Sequence, residues 1–259
     1  MTSPFDDILA LLHSAPALDG DGAHEAAAVA REAGAPAVLA DLAGWLVAVR
    51  GNAPIRRPLV ALYVSAYAAS GEGASARAAA ALERASDDSA ALTALAREAG
   101  AGVEVFDLAS AQPLSPKRSQ MMSEREAAAT MAFGFEALAK SPDLLILAAL
   151  TEGSGEAVRR VEAALADTPP LEALCREGGR ELAALVGAIA AAGQERVPVI
   201  LDGAAALMAA RLVEALRPGG AGHCRDASAI LPQTGVNLAE PGTTGVAVAA
   251  LVRLASALR

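Results

Sequence analysis

The stretch that most limits what this chain can fold into runs from Asp143 to Val158, DLLILAALTEGSGEAV. Leu144 to Leu150 is an unbroken apolar run, bounded by Pro142 and Gly153 and too short for a confident helix. A strand buried on both faces of a parallel sheet has this pattern, because neither face can carry polar side chains. Glu152-Gly153-Ser154-Gly155 then turns the chain, and helical spacing resumes from Glu156 to Ala166. A strand, a glycine turn and a helix start mark the carboxyl rim of an α/β sheet, where ligands bind. The helix start adds unpaired amides and a partial positive charge suited to an anion.

Three further apolar segments read as strands: Leu59 to Tyr67, Val103 to Leu108 and Val197 to Leu201. Pro198 falls at the beginning of the last, where a missing donor is tolerated. Helical spacing fills the intervals. Ser123 with Glu126 forms a capping box that opens one of these helices. Four strands alternating with helices predict an α/β fold with a Rossmann-like parallel sheet flanked by helices. The N-terminal helices, over 5–14, 25–33 and 38–50, and the last helix, over 246–258, have no strand partner. They are expected to form a small helical satellite, 1–57 with 240–259, beside an α/β core over 58–239. The segment from His223 to Leu238 reads as irregular.

Composition narrows the function. The chain has 259 residues, 54% hydrophobic and only 3% aromatic, so alanine and the aliphatics must build the core. A net charge of −9 without a Lys/Arg cluster argues against nucleic acid as a partner. Cys175 and Cys224 lack CxxC spacing and His13, His24 and His223 are scattered, so no metal site is expected. The N-terminus is acidic where a signal peptide would be basic. No segment approaches a membrane span. The expectation is a reduced, cytoplasmic, soluble protein that needs no cofactor.

The places to look for chemistry are the strand carboxyl ends: Ala68 to Ser75, Asp107, Glu152 to Glu156, and Asp202-Gly203. The turn Glu240 to Gly245, which opens the last helix, is a fifth. No GxSxG elbow, complete GxGxxG or Walker lysine is present. Glu152, Glu156 and Glu240 stand out, because a carboxylate in a partly apolar cleft can take a proton from a nitrogen nucleophile. Acids are also favoured at helix starts for purely structural reasons.

The segment from Gly178 to Leu212, GGRELAALVGAIAAAGQERVPVILDGAAALMAARL, resembles the nicotinate-nucleotide–dimethylbenzimidazole phosphoribosyltransferase family. That family carries a GG-x-(D/E)-IAAMAGAI helix followed by a PV-x-LDG strand. RRPLVALYVSAYAASGEGAS is similar to its first strand and turn, and LAEPGTTGVAVAALVRLASAL to its closing motif and last helix. The resemblance covers nearly the whole chain. It implies a Rossmann-like core, a homodimer, and transfer of phosphoribose from nicotinate mononucleotide to a benzimidazole-type base in cobalamin lower-ligand synthesis.

The resemblance assigns the general base to Glu240, with two residues inserted, and puts Glu152 nearby. It implies substrate binding by Ser65 and Tyr67, by Gly153, Ser154, Gly155 and Glu156, by Asp202 and Gly203, and by Gly242, Thr243 and Thr244. The family's phosphate-holding GEMGIGNTT reads here as residues 150–158, LTEGSGEAV, and its GDHG as Ser65 to Ala68. Those departures leave two other readings open. One is a non-catalytic binding or regulatory relative. The other is an enzyme of this fold acting on a less phosphorylated substrate.

Overall fold

The structure is a computed structural model that describes residues 3–87, 90–115, 120–232 and 241–258. The N-terminal part is helical: α1 (Asp6–Ser14), α2 (Gly20–Glu32) and α3 (Ala37–Arg50). β1 (Pro58–Val64) is followed by α4 (Ala74–Ala85) and α5 (Ala91–Glu98), and β2 (Gly102–Asp107) by α6 (Glu124–Gly134). β3 (Leu144–Ala149) leads into α7 (Ser154–Ala164), α8 (Pro170–Glu177) and α9 (Arg180–Gln194). β4 (Val199–Asp202), α10 (Ala204–Leu216), β5 (Cys224–Asp226), α11 (Ala227–Ile230) and α12 (Thr243–Ser256) complete the chain.

All strands pair in parallel, in the order β2-β1-β3-β4-β5. The order reverses between β1 and β3, so the chain leaves the two strands in opposite directions and opens a crevice beyond their carboxyl ends. Period-2 alternation divides the strand side chains between two cores. Leu59, Ala61, Tyr63, Leu145 and Leu147 face one side, with α1, α6, α9 and α10. Val60, Leu62, Leu144, Ile146 and Ala148 face the other, where α3, α5 and α12 pack.

The alanine-rich α9 is buried along its length from Glu181 to Ala192. It crosses α6 at backbone contact: a Cβ on Gly187 would lie 1.8 Å from the Met131 carbonyl oxygen, and one on Gly134 would lie 2.1 Å from that of Ala184. Small residues thus replace the missing aromatics by letting helix axes approach. The Ser123 cap forms as the sequence implies, its hydroxyl accepting from the Glu126 amide at 3.2 Å.

Two local features depart from the sequence reading. α2 begins at Gly20, five residues before Glu25, because the Asp19 side chain accepts from the Gly22 amide at 2.9 Å and caps it. The segment read as irregular contains β5 and α11, so the sheet has five strands among the described residues. β5 is three residues long and reads Cys-Arg-Asp, too short and too polar to show a strand period.

Candidate active site

A cleft of about 510 Å³ opens at the crevice between β1 and β3, lined among others by Ser65, Tyr67, Arg77, Arg84, Thr151 and Glu152. Its floor is built from the residues that follow the two strands. The Ser65 amide donates to Thr151 Oγ1 at 2.9 Å, tying the end of β1 to the end of β3. Below it, Ser65 Oγ donates to Glu181 Oε2 at 2.6 Å and the Tyr67 hydroxyl donates to Glu181 Oε1 at 2.5 Å. Glu181 is wholly buried, and Ser65 and Tyr67 nearly so. Burial, then the adjacent Glu181 carboxylate, holds the Tyr67 phenol well above its ordinary range, so it stays a donor.

The local sequence allows this arrangement because Gly179 precedes the helix. A Cβ there would lie 1.7 Å from the Tyr67 hydroxyl oxygen and 2.5 Å from Glu181 Oε2. Arg180, between them, turns away to Glu126 Oε1 at 2.8 Å and to the Gln112 carbonyl at 2.8 Å.

At the mouth, Arg77 clasps the two turns together. Its Nε donates to Glu152 Oε2 at 2.6 Å, and its other nitrogens donate to the carbonyls of Ser70 and Glu72 at 2.6 and 2.9 Å. Glu152 is therefore an exposed, paired carboxylate. Gly153, at φ 87°, turns the chain into α7. Ser154 Oγ is buried at that helix start without a hydrogen-bond partner. Gly155 has open space where a side chain would be. Glu156 points along the exposed side of the helix, paired with Arg159 and 4.0 Å from Arg160.

Asp202 has another task. Its Oδ2 accepts from the Gly245 amide at 2.7 Å, and the amides of Gly242 and Thr244 also donate to it. The carboxylate thus caps the start of α12, with Thr243 and Thr244 buried around it. Burial raises the Asp202 carboxyl, against the three amides that lower it. Gly203 and Gly242 lie on either side of this contact at φ 92° and 91°. Glu240 lies outside the described residues.

The sequence reading passed over Glu181. An acid in the first turn of a helix reads as a surface residue drawn to the dipole. The available signal was the acid of the GG-x-(D/E) block, set against an otherwise apolar helix. Among the described residues, no cluster of His, Cys, Asp and Glu is placed to hold a metal ion. No helix among them is long and apolar enough to cross a membrane.

A protein-family model described as Phosphoribosyltransferase matches residues 151–239, from the β3 turn onward. A nicotinate-nucleotide–dimethylbenzimidazole phosphoribosyltransferase from Sinorhizobium sp is 35% identical, over 85% of this chain and 79% of its own. Another of that name, from Rhizobium rhizogenes (strain K84 / ATCC BAA-868), is 34% identical over the same shares. This chain belongs to the nicotinate-nucleotide–dimethylbenzimidazole phosphoribosyltransferase family. A crystal structure of a protein of that name from Thermus thermophilus superposes with a TM-score of 0.71. The superposition covers 98% of this chain and 95% of the other at 18% identity, and it shows a shared fold.

Proposed function

We propose that the chain transfers phosphoribose from nicotinate mononucleotide to 5,6-dimethylbenzimidazole, the activity in its relatives' name. The observation that carries this reading is the cleft at the β1/β3 reversal, with Thr151 and Glu152 of the β3 turn on one wall and the buried Glu181 beneath its floor. The donor phosphate is assigned to the turn Gly153-Ser154-Gly155, where, among the described residues, the Gly155 amide at the start of α7 and Ser154 Oγ have no hydrogen-bond partner. Glu156 does not argue against an anion there, since Arg159 and Arg160 offset its charge.

In the reaction, a benzimidazole nitrogen attacks C1′ of the ribose. The bond from C1′ to the pyridinium nitrogen breaks and its electron pair returns to that nitrogen, so nicotinate leaves without an acid. The proton on the other benzimidazole nitrogen passes to a carboxylate, which we assign to Glu240 from its position in the closing motif. Glu152 supports the site from the mouth by holding Arg77. Ser65 and Tyr67 shape the floor, while Asp202 with Gly203, Gly242, Thr243 and Thr244 seats the closing helix against the substrate side of the sheet. The active form is taken to be a cytoplasmic homodimer.

Incubation with both substrates and chromatography of the products tests this reading. The expected result is equimolar nicotinate and α-ribazole phosphate, with a loss of about 10²-fold or more for Glu240→Gln. Binding of both substrates without turnover would instead favour a non-catalytic relative.

A further inference from the structure

A second cavity, of about 350 Å³, lies at the opposite rim of the sheet, where Arg196 and His223 precede β4 and β5. The proposed transfer gives it no task. Its volume is at the lower end of the range for small-molecule sites. Arg196, Arg217 and His223 line it with Leu18, Gly193 and Pro218, and among the described residues no acidic side chain does.

Both arginines are held by helix ends. Arg217 Nη1 and Nη2 donate to the carbonyls of Leu12 and Ala15 at 2.7 and 2.9 Å. Arg196 Nε and Nη2 donate to those of Val49 and Ala48 at 2.8 and 3.3 Å. All four acceptors are neutral, and each guanidinium has N–H groups left over. A helix end carries only about half an elementary negative charge, so a capping guanidinium keeps net positive charge. Glu214, three residues before Arg217, accepts from the amides of Gly219 and Ala221 instead.

His223 supplies the opposite polarity. Its Nε2 lies 3.0 Å from the Ile189 carbonyl, which can only accept, so Nε2 carries the proton. Burial, with Arg217 as a lesser cause, pushes the ring down to about 4. At neutral pH the ring is therefore uncharged and Nδ1 holds a lone pair. The side chain is buried, yet among the described residues Nδ1 has no hydrogen-bond partner. A Cβ on Gly193 would lie 2.9 Å from His223 Cε1 and 3.3 Å from Nδ1. Glycine at that position leaves this edge of the ring uncovered beside the cavity.

We propose that the cavity is a second ligand site, for a small anion that carries a hydroxyl: a hydroxy acid or a sugar phosphate. Arg196 and Arg217 take the anionic group, the hydroxyl donates to His223 Nδ1, and Leu18 and Pro218 cover the carbon skeleton. The site lies across the sheet from the cleft and does not depend on the phosphoribosyl transfer.

Calorimetric titration of the full chain with two pairs of probes tests this. One pair is malate and succinate, which lacks the hydroxyl; the other is glycerol 3-phosphate and propyl phosphate. In one pair the hydroxylated member is expected to bind about fivefold to tenfold more tightly, and that pair identifies the class. Gly193→Ala covers Nδ1 and should remove the preference, with nicotinate mononucleotide binding unchanged. Arg196→Gln should weaken both members of the pair by about tenfold.

Failure of all four probes to bind the unmodified protein overturns the proposal, and so does equal affinity within both pairs. A preference that survives in a folded Gly193→Ala puts the ligand elsewhere and overturns it as well.

Discussion

Glu181 and Asp202 are both acids at the carboxyl rim of one sheet, and the chain uses them in opposite ways. Asp202 receives backbone amides, three of them from the start of α12, so its charge is committed to a helix end. Glu181 receives side-chain hydroxyls from two residues that line the cleft. Backbone amides are fixed once the helix forms, whereas the two hydroxyls meet Glu181 only through tertiary packing. Position at the rim is thus a poor guide to role. The identity of the donors decides it.

The comparison can be broken hardest at Gly179. Gly179→Ala would drive a methyl group into the Tyr67 hydroxyl and Glu181, combining overpacking with the loss of a buried hydrogen bond. A loss of roughly 3–4 kcal/mol in urea unfolding is expected, with activity near background. Unchanged stability would mean that the buckle is looser than its distances imply.

Asp202→Ala is expected to cost roughly 2–3 kcal/mol by removing the cap of α12. The pH dependence sharpens the point. Because burial raises the Asp202 carboxyl, the folded chain holds a proton that the unfolded chain releases first. Stability from this residue therefore falls as pH rises above the ordinary aspartate range and through the raised value, and Asp202→Asn should remove that slope. His223, buried and pushed down to about 4, gives the opposite slope: its contribution is complete above the ordinary histidine range and is lost as pH falls towards 4. Unfolding followed from about pH 4 to 8 in Asp202→Asn and in His223→Gln separates the two.

Tyr67→Phe deletes one of the two donors to Glu181 and should cost about 1–2 kcal/mol in the same assay. At the small end, Glu156→Gln removes an exposed partner of Arg159. It should change stability by less than about 0.5 kcal/mol. A large effect there would return Glu156 to the cleft and reverse the reading of the α7 turn.

Parts of this site were legible in the residues alone. The β3 run, its glycine turn and the helix beyond appear where the apolar pattern puts them, because a strand buried on both faces tolerates nothing polar. Ser65, Tyr67 and Glu152 line the cleft because each follows the carboxyl end of β1 or β3. The fifth strand was not legible, since three residues carry no period. Glu156 and Glu181 were hard to sort for a related reason: each stands close behind a glycine at the start of a helix, so local rules treat them alike. Packing then sends one to solvent beside Arg159 and buries the other under β1.

The sequence by itself determined the layered α/β architecture, the rim at which ligands should collect, and the family, because those depend on local period, turn residues and contiguous motifs. Tertiary structure decided which carboxylate sits beneath the cleft and which merely closes a helix. The partners of Glu181 lie 116 and 114 residues away along the chain. A buried carboxyl group is tolerated only where such distant hydroxyls converge on it, and no local pattern encodes their meeting.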